Sequence, residues 1–175
     1  MRLVNCLTLV LSFSLFGCSA MPRVPLATAA HVELPRFMGK WYVLASIPTF
    51  LEKDSHNAVE SYRLESDDTV ATTFTFHKGS LDGPLKTFKP RGWVLDKSTN
   101  ATWGMQFIWP IKAEYVIAYL NDDYTETVIA RSSRDYVWIM ARTPEVSVQS
   151  YDRLSDKVGK MGYDLSKLRR VPQQW

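Results

Sequence analysis

The sequence has few of the residues that bind metals or form disulfides, with two cysteines and three histidines among its 175 residues. No two of the histidines, His31, His56 and His77, have the close spacing of paired metal ligands. A Gly-x-Ser-x-Gly nucleophile elbow and a glycine-rich phosphate loop are also missing. The sequence therefore predicts no metal site, no cofactor and no enzymatic activity.

A large charge of either sign is missing as well, since the formal net charge is only +3. This balance argues against nucleic acid as a partner. Two groups of basic residues are interpreted as solvated surface, with contact to anionic lipid headgroups as the alternative. The first group is Lys86, Lys89 and Arg91, and the second is Lys160, Lys167, Arg169 and Arg170.

Residues 1–17 are predicted to be a signal peptide. Arg2 precedes an apolar run that contains no acidic residue and is too short to span a membrane. The run ends in Leu15-Phe16-Gly17-Cys18, which is similar to a bacterial lipobox, although Phe16 stands where a small residue is usual. We therefore expect cleavage before Cys18 and attachment of lipid to this cysteine. An ordinary secretory signal with an incidental cysteine is the alternative.

Residues 18–32 are interpreted as the lipidated cysteine and a tether, because they show no hydrophobic period. Ser19 favours the bacterial outer membrane as the location, with the domain on its periplasmic side. Cys6 would be removed with the signal peptide, so no disulfide is expected. The remaining domain, residues 33–175, is long enough to be stable through packing alone.

Apolar alternation and regular turn signals predict an all-β domain of eight antiparallel strands in an up-and-down barrel. A helical turn is expected at residues 34–38, and the longer loop 47–57 suits a lid. After Pro144 the apolar period changes, which predicts one C-terminal helix over 144–160, packed outside the barrel. A short extended segment is predicted at residues 165–171. The strands are expected near 40–48, 57–66, 69–78, 86–96, 101–108, 114–121, 125–132 and 135–142.

Gly39-Lys40-Trp41 opens the first strand, residues 119–124 form a strand–turn–strand segment, and Arg142 ends the last strand. These three segments resemble the signatures of the lipocalin family. The strings Trp109-Pro110, 133–139 and 141–144 resemble its bacterial outer-membrane lipoprotein branch, which is related to apolipoprotein D. The resemblance covers about residues 33–172. It implies that the Arg142 guanidinium covers the Trp41 ring at the closed end, where Gly39 allows the backbone to turn.

An eight-stranded barrel can hold one small ligand, and period-2 phasing from Trp41 predicts which side chains point inward. The residues that this phasing directs inward include Ala45, Ile47, Tyr119, Val128 and Ala130. Complete filling of the barrel is the alternative for every inward residue. Glu60 is unusual, because a buried carboxylate needs water, a tyrosine or a cation beside it. The predicted ligand-binding residues are Glu60, Tyr62, Phe74, Phe76, Met105, Phe107, Tyr115, Ile117, Trp138 and Met140.

The resemblance implies a membrane-anchored lipid-binding protein that stores or transports a fatty acid or lysophospholipid for envelope maintenance or stress. Its expected partners are that small hydrophobic ligand and the membrane, through Cys18, and related bacterial proteins also suggest a homodimer. One alternative is a structural or partner-binding lipoprotein with a filled barrel. The other is a lipocalin-fold enzyme, such as one with a cysteine nucleophile, which this chain lacks in its barrel.

Overall fold

Ten strands form one antiparallel sheet in the computed structural model, which describes residues 25–175. The helices are α1 (Leu34–Phe37) and α2 (Val148–Lys160), and a 3₁₀ turn covers Leu165–Lys167. None of the helices in the described residues is long and apolar enough to cross a membrane. The strands are β1 (Gly39–Ile47), β2 (Ser55–Leu64), β3 (Thr69–Lys78), β4 (Leu85–Phe88), β5 (Arg91–Val94), β6 (Thr102–Ile108), β7 (Ile111–Leu120), β8 (Glu126–Ala130), β9 (Val137–Ala141) and β10 (Arg169–Arg170).

The sheet closes into a barrel because β1 pairs with β2 through its first residues and with β9 through its last ones. Strands β4 and β5 both pair with β3 and are two halves of one predicted strand. The strand is interrupted at Pro90, which has no N–H for the ladder. With these halves counted together and the two-residue β10 set aside, the barrel has eight antiparallel strands, so the predicted fold is confirmed.

The C-terminal segment fills a gap in the barrel wall. Beyond Val43, β1 leaves β2 and pairs with β10 at Ala45 and Ser46. The Gln173 side-chain amide donates hydrogen bonds to the Val43 and Ala58 carbonyls, at 2.8 and 3.1 Å, and so bridges the two separated strands. The predicted extended piece is therefore a 3₁₀ turn followed by a very short strand, and it completes the wall.

Helix α2 packs outside the barrel, as predicted, but it begins at Val148 rather than at Pro144. The Ser147 side chain accepts a hydrogen bond from the Ser150 N–H at 3.1 Å, and this cap determines where the helix starts. Leu154 and Val158 are fully buried against the outer face of the sheet. The apolar period of the sequence thus marks the buried face of the helix correctly.

Buried side chains form two separate layers, one inside the barrel and one between the sheet and α2. The inner layer contains Trp41, Phe74, Trp103 and Ile117, and the outer layer contains Leu154 with the residues it covers. Several residues that were predicted to point inward belong to the outer layer instead. These are Ala45, Ile47, Tyr119, Val128 and Ala130.

β-Bulges explain three of these wrong predictions. One bulge lies between Val43 and Ala45 and another between Ile117 and Tyr119, and each reverses the facing of the residues that follow. In β8 the phase was wrong by one residue, because Ile129 faces the interior while its neighbours Val128 and Ala130 face α2. Every residue of β8 is buried, so its sequence has no polar alternation to set the phase.

Candidate ligand-binding site

The closed half of the barrel is filled with aromatic rings. Helix α1 places Phe37 inside the barrel, where its ring centroid lies 5.0 Å from Trp41, 5.5 Å from Tyr62 and 5.6 Å from Trp103. The Trp41 indole N–H donates to the Phe37 carbonyl at 2.8 Å, which satisfies its only donor. Arg142 covers the outer face of the Trp41 ring. This end of the barrel therefore has no room for a ligand.

The open half contains a cavity of about 240 Å³. Its walls come from the lid between β1 and β2, from parts of β2, β3, β4, β6, β7 and β9, and from the turn between β8 and β9. Aromatic and aliphatic side chains predominate, and Glu52, Glu60, Glu114 and Arg131 are its charged members. The lining residues are Thr49, Phe50, Leu51, Glu52, Glu60, Phe74, Phe88, Met105, Phe107, Ile108, Ile111, Ala113, Glu114, Tyr115, Arg131, Tyr136 and Trp138.

Six of the ten residues predicted to bind ligand line this cavity: Glu60, Phe74, Met105, Phe107, Tyr115 and Trp138. The other four do not line it. Tyr62, Ile117 and Met140 pack in the filled closed half, and Phe76 stacks behind Phe88 with ring centroids 6.1 Å apart. The period-2 pattern places all ten on the inner face, but the Phe37 ring decides how deep the cavity extends. The structure therefore moves these four residues from the predicted site to the packing around it.

The sequence analysis missed Glu52 and the polar groups of the mouth. Glu52 lies in the predicted lid and is only 4% exposed. Its Oε1 accepts the Thr49 backbone N–H at 2.9 Å, and the Trp138 indole N–H lies 3.0 Å from Oε2. Burial raises the pKa of the Glu52 carboxyl, although these hydrogen bonds oppose the shift. The available signal was an acid directly after the apolar stretch from Ile47 to Leu51.

Glu60 lies at the inner end of the cavity, opposite Trp41 in the register of β1 and β2. Its Oε2 accepts a hydrogen bond from the Tyr62 hydroxyl, and the Tyr115 hydroxyl lies 3.3 Å from the same atom. The two tyrosine hydroxyls also hydrogen-bond each other. A tyrosine pair therefore satisfies Oε2 of this carboxyl, and a tyrosine partner is one of the arrangements that the sequence analysis anticipated.

Electrostatics favour the neutral form of the Glu60 carboxyl. Burial raises its pKa from the ordinary value of 4.5 to about 8, and the charge of Glu52 adds to this effect. Burial, with the neighbouring Glu60 charge, also raises the pKa of the Tyr115 hydroxyl well above its usual range. The inner end of the cavity is thus a small cluster of neutral, mutually hydrogen-bonded groups.

Large apolar side chains surround the mouth and remain exposed. Phe50 is 78% exposed, Trp109 83% and Ile111 67%, and the lining residues Phe107 and Ile108 are 40% and 58% exposed. Two charged residues of the mouth are engaged by neighbours. Glu114 accepts hydrogen bonds from Ser132, and Arg131 donates to Asp135 at 3.0 Å. The path from solvent into the cavity is therefore mainly apolar.

This arrangement suits the binding of a small hydrophobic molecule. An apolar wall with a few convergent polar groups is typical of ligand pockets. Across residues 25–175, no three His, Cys, Asp or Glu side chains come together in a way that could hold a metal ion. The chemistry that the cavity offers is desolvation of an apolar chain and hydrogen bonding at its inner end.

Comparisons with known proteins agree with this description. The temperature-induced lipocalin-1 of Arabidopsis thaliana is 30% identical over 154 residues, which are 81% of this chain and 80% of that protein. The outer membrane lipoprotein Blc of Vibrio cholerae is 25% identical over 166 residues, covering 93% and 95% of the two chains. Mouse apolipoprotein D is 23% identical over 171 residues, covering 93% and 85%.

A solved structure shows the same fold. The cockroach allergen Per a 4 superimposes with a TM-score of 0.64 at 17% identity, over 85% of this chain and 92% of the allergen. The family model for the lipocalin-like domain matches residues 32–173, which include the whole barrel and α2. A closed eight-stranded barrel, a single outer helix and an apolar cavity at the open end accompany that match, and the chain belongs to the lipocalin family.

Proposed function

We propose that this protein binds a single-chain lipid, a fatty acid or a lysophospholipid, in the open-end cavity. It stores or transports this lipid at the bacterial outer membrane, for envelope maintenance or during stress. The observation that supports the proposal is the cavity itself. It is walled by Phe74, Phe88, Met105 and Trp138 and opens through an apolar mouth.

The free energy gained by burying a lipid chain can exceed the free-energy cost of association, so the cavity can bind such a lipid. Burial of a methylene group contributes about 0.8 kcal/mol, so a chain of about sixteen carbons would contribute roughly 12 kcal/mol if it were fully buried. Association costs on the order of 4–15 kcal/mol. The apolar wall, rather than a single polar contact, therefore supplies most of the affinity. Such a site selects its ligand mainly by chain length and shape.

The proposed location is based on the N-terminus and on the relatives. Cys18, the predicted lipid attachment site, lies outside the described residues, as do the signal peptide and part of the tether. The Vibrio cholerae relative is named an outer membrane lipoprotein, which supports the same location for this chain, with the domain on the periplasmic side. The lipid anchor would keep the barrel close to a source of lipid.

We favour binding over catalysis for this cavity. The only cysteines of the chain are Cys6 and Cys18, and both precede the barrel. A lipocalin-fold enzyme with a cysteine nucleophile is therefore not supported. The filled-barrel alternative is also weaker, because only the closed half of the interior is packed with side chains.

A titration with a fluorescent fatty acid tests the proposal, using a matched pair of variants on β6. Phe107 lines the cavity and is 40% exposed, so Phe107→Asp introduces a charge without burying it deeply. The adjacent Gln106 faces the outside of the barrel, because its neighbour Met105 points inward. We expect Phe107→Asp to weaken binding at least about tenfold, a free-energy change of about 1.4 kcal/mol. Gln106→Asp should bind like the wild type.

Circular dichroism verifies that both variants remain folded. Equal losses for the two variants would contradict the assignment of the cavity as the site. Absence of binding by the folded wild-type protein, together with no lipid in organic extracts of the purified protein, would contradict the proposed function itself.

A further inference from the structure

One oxygen of the buried Glu60 carboxyl is available to a ligand. The residue is only 6% exposed and lines the cavity. Its Oε2 accepts the hydrogen bonds of Tyr62 and Tyr115, whereas Oε1 has no hydrogen-bond partner within residues 25–175. Because Glu60 lines the cavity, this oxygen can form a hydrogen bond with a ligand there. The inner end of the cavity therefore offers one carboxyl oxygen to a bound polar group.

Polarity along the cavity also points to an inward polar group. The inner end carries the carboxyl and the tyrosine hydroxyl, while the mouth is surrounded by exposed apolar residues. Phe50, Ile108 and Ile111 line the cavity and are 78%, 58% and 67% exposed. A ligand whose polar end enters first would leave its apolar chain against these side chains. The opposite orientation would place an apolar tail on Glu60 and Tyr115.

The surroundings of Glu60 favour a cation over an anion. Tyr115 lies beside it, and the Trp138 ring, which also lines the cavity, stacks on Tyr115 with centroids 6.5 Å apart. Aromatic faces attract ammonium groups. A second buried acid, Glu52, is bound to the Trp138 indole and has no cation among its partners in the described chain. A carboxylate or phosphate at this depth would meet two acids and no cation. An ammonium group would instead favour ionisation of these acids and be attracted by the resulting carboxylates.

We infer that the ligand enters the cavity with its polar end first, and that this end is a protonated amine held by Glu60 Oε1 and the Tyr115 and Trp138 rings. The ligand class is a single-chain amphiphile with a cationic amino headgroup. This inference rests on the proposed function, because it concerns the same cavity and the same single chain. Of the two proposed lipid classes, only a lysophospholipid can carry the amino group.

The competing arrangement places an anionic headgroup at the mouth. The Nε atom of Arg131 is buried there and has no hydrogen-bond partner in the described residues. A fatty-acid carboxylate on this guanidinium would keep its tail inward. The two orientations depend on different residues, so the variants Glu60→Gln and Arg131→Gln distinguish them.

The amine orientation also predicts a particular pH dependence. The titratable or charged groups facing the Glu60 carboxyl are Glu52, Tyr62 and Tyr115, with Glu114 and Arg131 farther out at the mouth. A bound ammonium favours the ionised carboxylate, so binding would release a proton from Glu60 at neutral pH. Amine affinity should therefore rise between pH 6 and 8, while affinity for a carboxylate ligand of equal length should fall.

The experiment compares dodecylamine, dodecanol and dodecanoic acid as competitors of a neutral apolar fluorescent probe, N-phenyl-1-naphthylamine, bound to the wild-type protein at pH 8. We expect dodecylamine to bind at least about tenfold more tightly than dodecanoic acid, as a charge-assisted hydrogen bond requires. Glu60→Gln should reduce this preference to less than about threefold. Glu33→Gln, the same change at an exposed position, should keep the preference.

The outcomes separate this inference from the proposed function. If none of the three compounds displaces the probe, the proposed lipid binding itself is wrong. If all three bind equally, or if the acid binds best and only Arg131→Gln weakens it, lipid binding stands and the inward amine is overturned. The pH dependence of the wild type provides a second test that does not depend on the folding of Glu60→Gln. Amine affinity that is constant from pH 6 to 8 would contradict the inference.

Discussion

The guanidinium of Arg142 lies over the indole ring of Trp41, with Cζ 3.8 Å from the centre of the ring. Burial lowers the pKa of this guanidinium to about 10. Gly39 permits the contact, because its φ is +93° and a Cβ at this position would lie 3.3 Å from Nη1 of Arg142. The guanidinium also donates four hydrogen bonds of 2.8–3.1 Å, to the carbonyls of Arg36, Phe37, Lys40 and Tyr124.

This contact predicts a ranking of stabilities. Arg142→Lys keeps the charge but loses the planar stacking surface and part of the hydrogen bonding, which should cost about 1–3 kcal/mol of unfolding free energy. Trp41→Ala should cost about 3–5 kcal/mol because it also leaves a cavity. Urea denaturation followed by circular dichroism measures both. A lysine variant as stable as the wild type would show that Arg142 contributes charge alone.

Glu60 predicts that stability decreases with rising pH. Its pKa is about 8 in the folded protein and near 4.5 when unfolded, so the folded state binds the proton more tightly. This contribution to stability is fully present below about pH 4.5 and is lost as the pH rises through about 8. The maximum slope is about 1.4 kcal/mol per pH unit for one proton. Glu52, whose pKa is also raised, acts in the same direction.

Glu60→Gln removes this titration while it keeps a neutral hydrogen-bonding group. We expect the variant to lose less stability than the wild type between pH 5 and 9 in urea denaturation. The control is Glu33→Gln, at an exposed site in a surface pair with Arg36, which should retain the wild-type profile. Parallel profiles for Glu60→Gln and the wild type would show that Glu60 does not titrate in this range.

Ile117 and Phe107 should separate stability from binding. Ile117 is fully buried in the filled half of the barrel, so Ile117→Ala should cost about 2–5 kcal/mol of stability. It should leave fatty-acid affinity within about threefold, less than 1 kcal/mol. Phe107→Ala should do the reverse, because Phe107 is partly exposed and lines the cavity. Thermal unfolding and the fluorescent titration measure the two effects, and a strong binding defect in folded Ile117→Ala would extend the cavity deeper than described.

Cys18 should determine where the protein is found. A lipoprotein with several acyl chains is held firmly by a membrane, whereas an unmodified chain is not. Cys18→Ser should therefore move the protein from the outer-membrane fraction to the soluble fraction. Cys6→Ser is the matched control, because Cys6 lies in the predicted signal peptide and should have no effect. Identical fractionation of the wild type and Cys18→Ser would rule out the anchor.

The sequence alone was sufficient to predict the order and type of the main elements. Strand alternation, turn residues and the change of period after Pro144 are local signals, and they identify the eight barrel strands and the outer helix, although the helix begins at Val148. The resemblance of the segments around Gly39, Trp41 and Arg142 to lipocalin signatures identified the closed end. Gly39 and Trp41 lie at the start of β1, and Arg142 directly follows β9, which pairs with β1 in the barrel.

Only the tertiary structure determined which inward residues line the cavity. Bulges after Val43 and Ile117 reverse the facing of later residues, and they depend on pairing with strands distant in sequence. The depth of the cavity depends on the Phe37 ring. Phe37 belongs to helix α1, so the alternation of residues along the strands does not predict its position. The folded lid brings Glu52 near Glu60. This proximity could not be predicted, because the lid sequence has no hydrophobic period. Packing across the chain decides such features, because close-packed interiors leave space only where distant side chains fail to fill it.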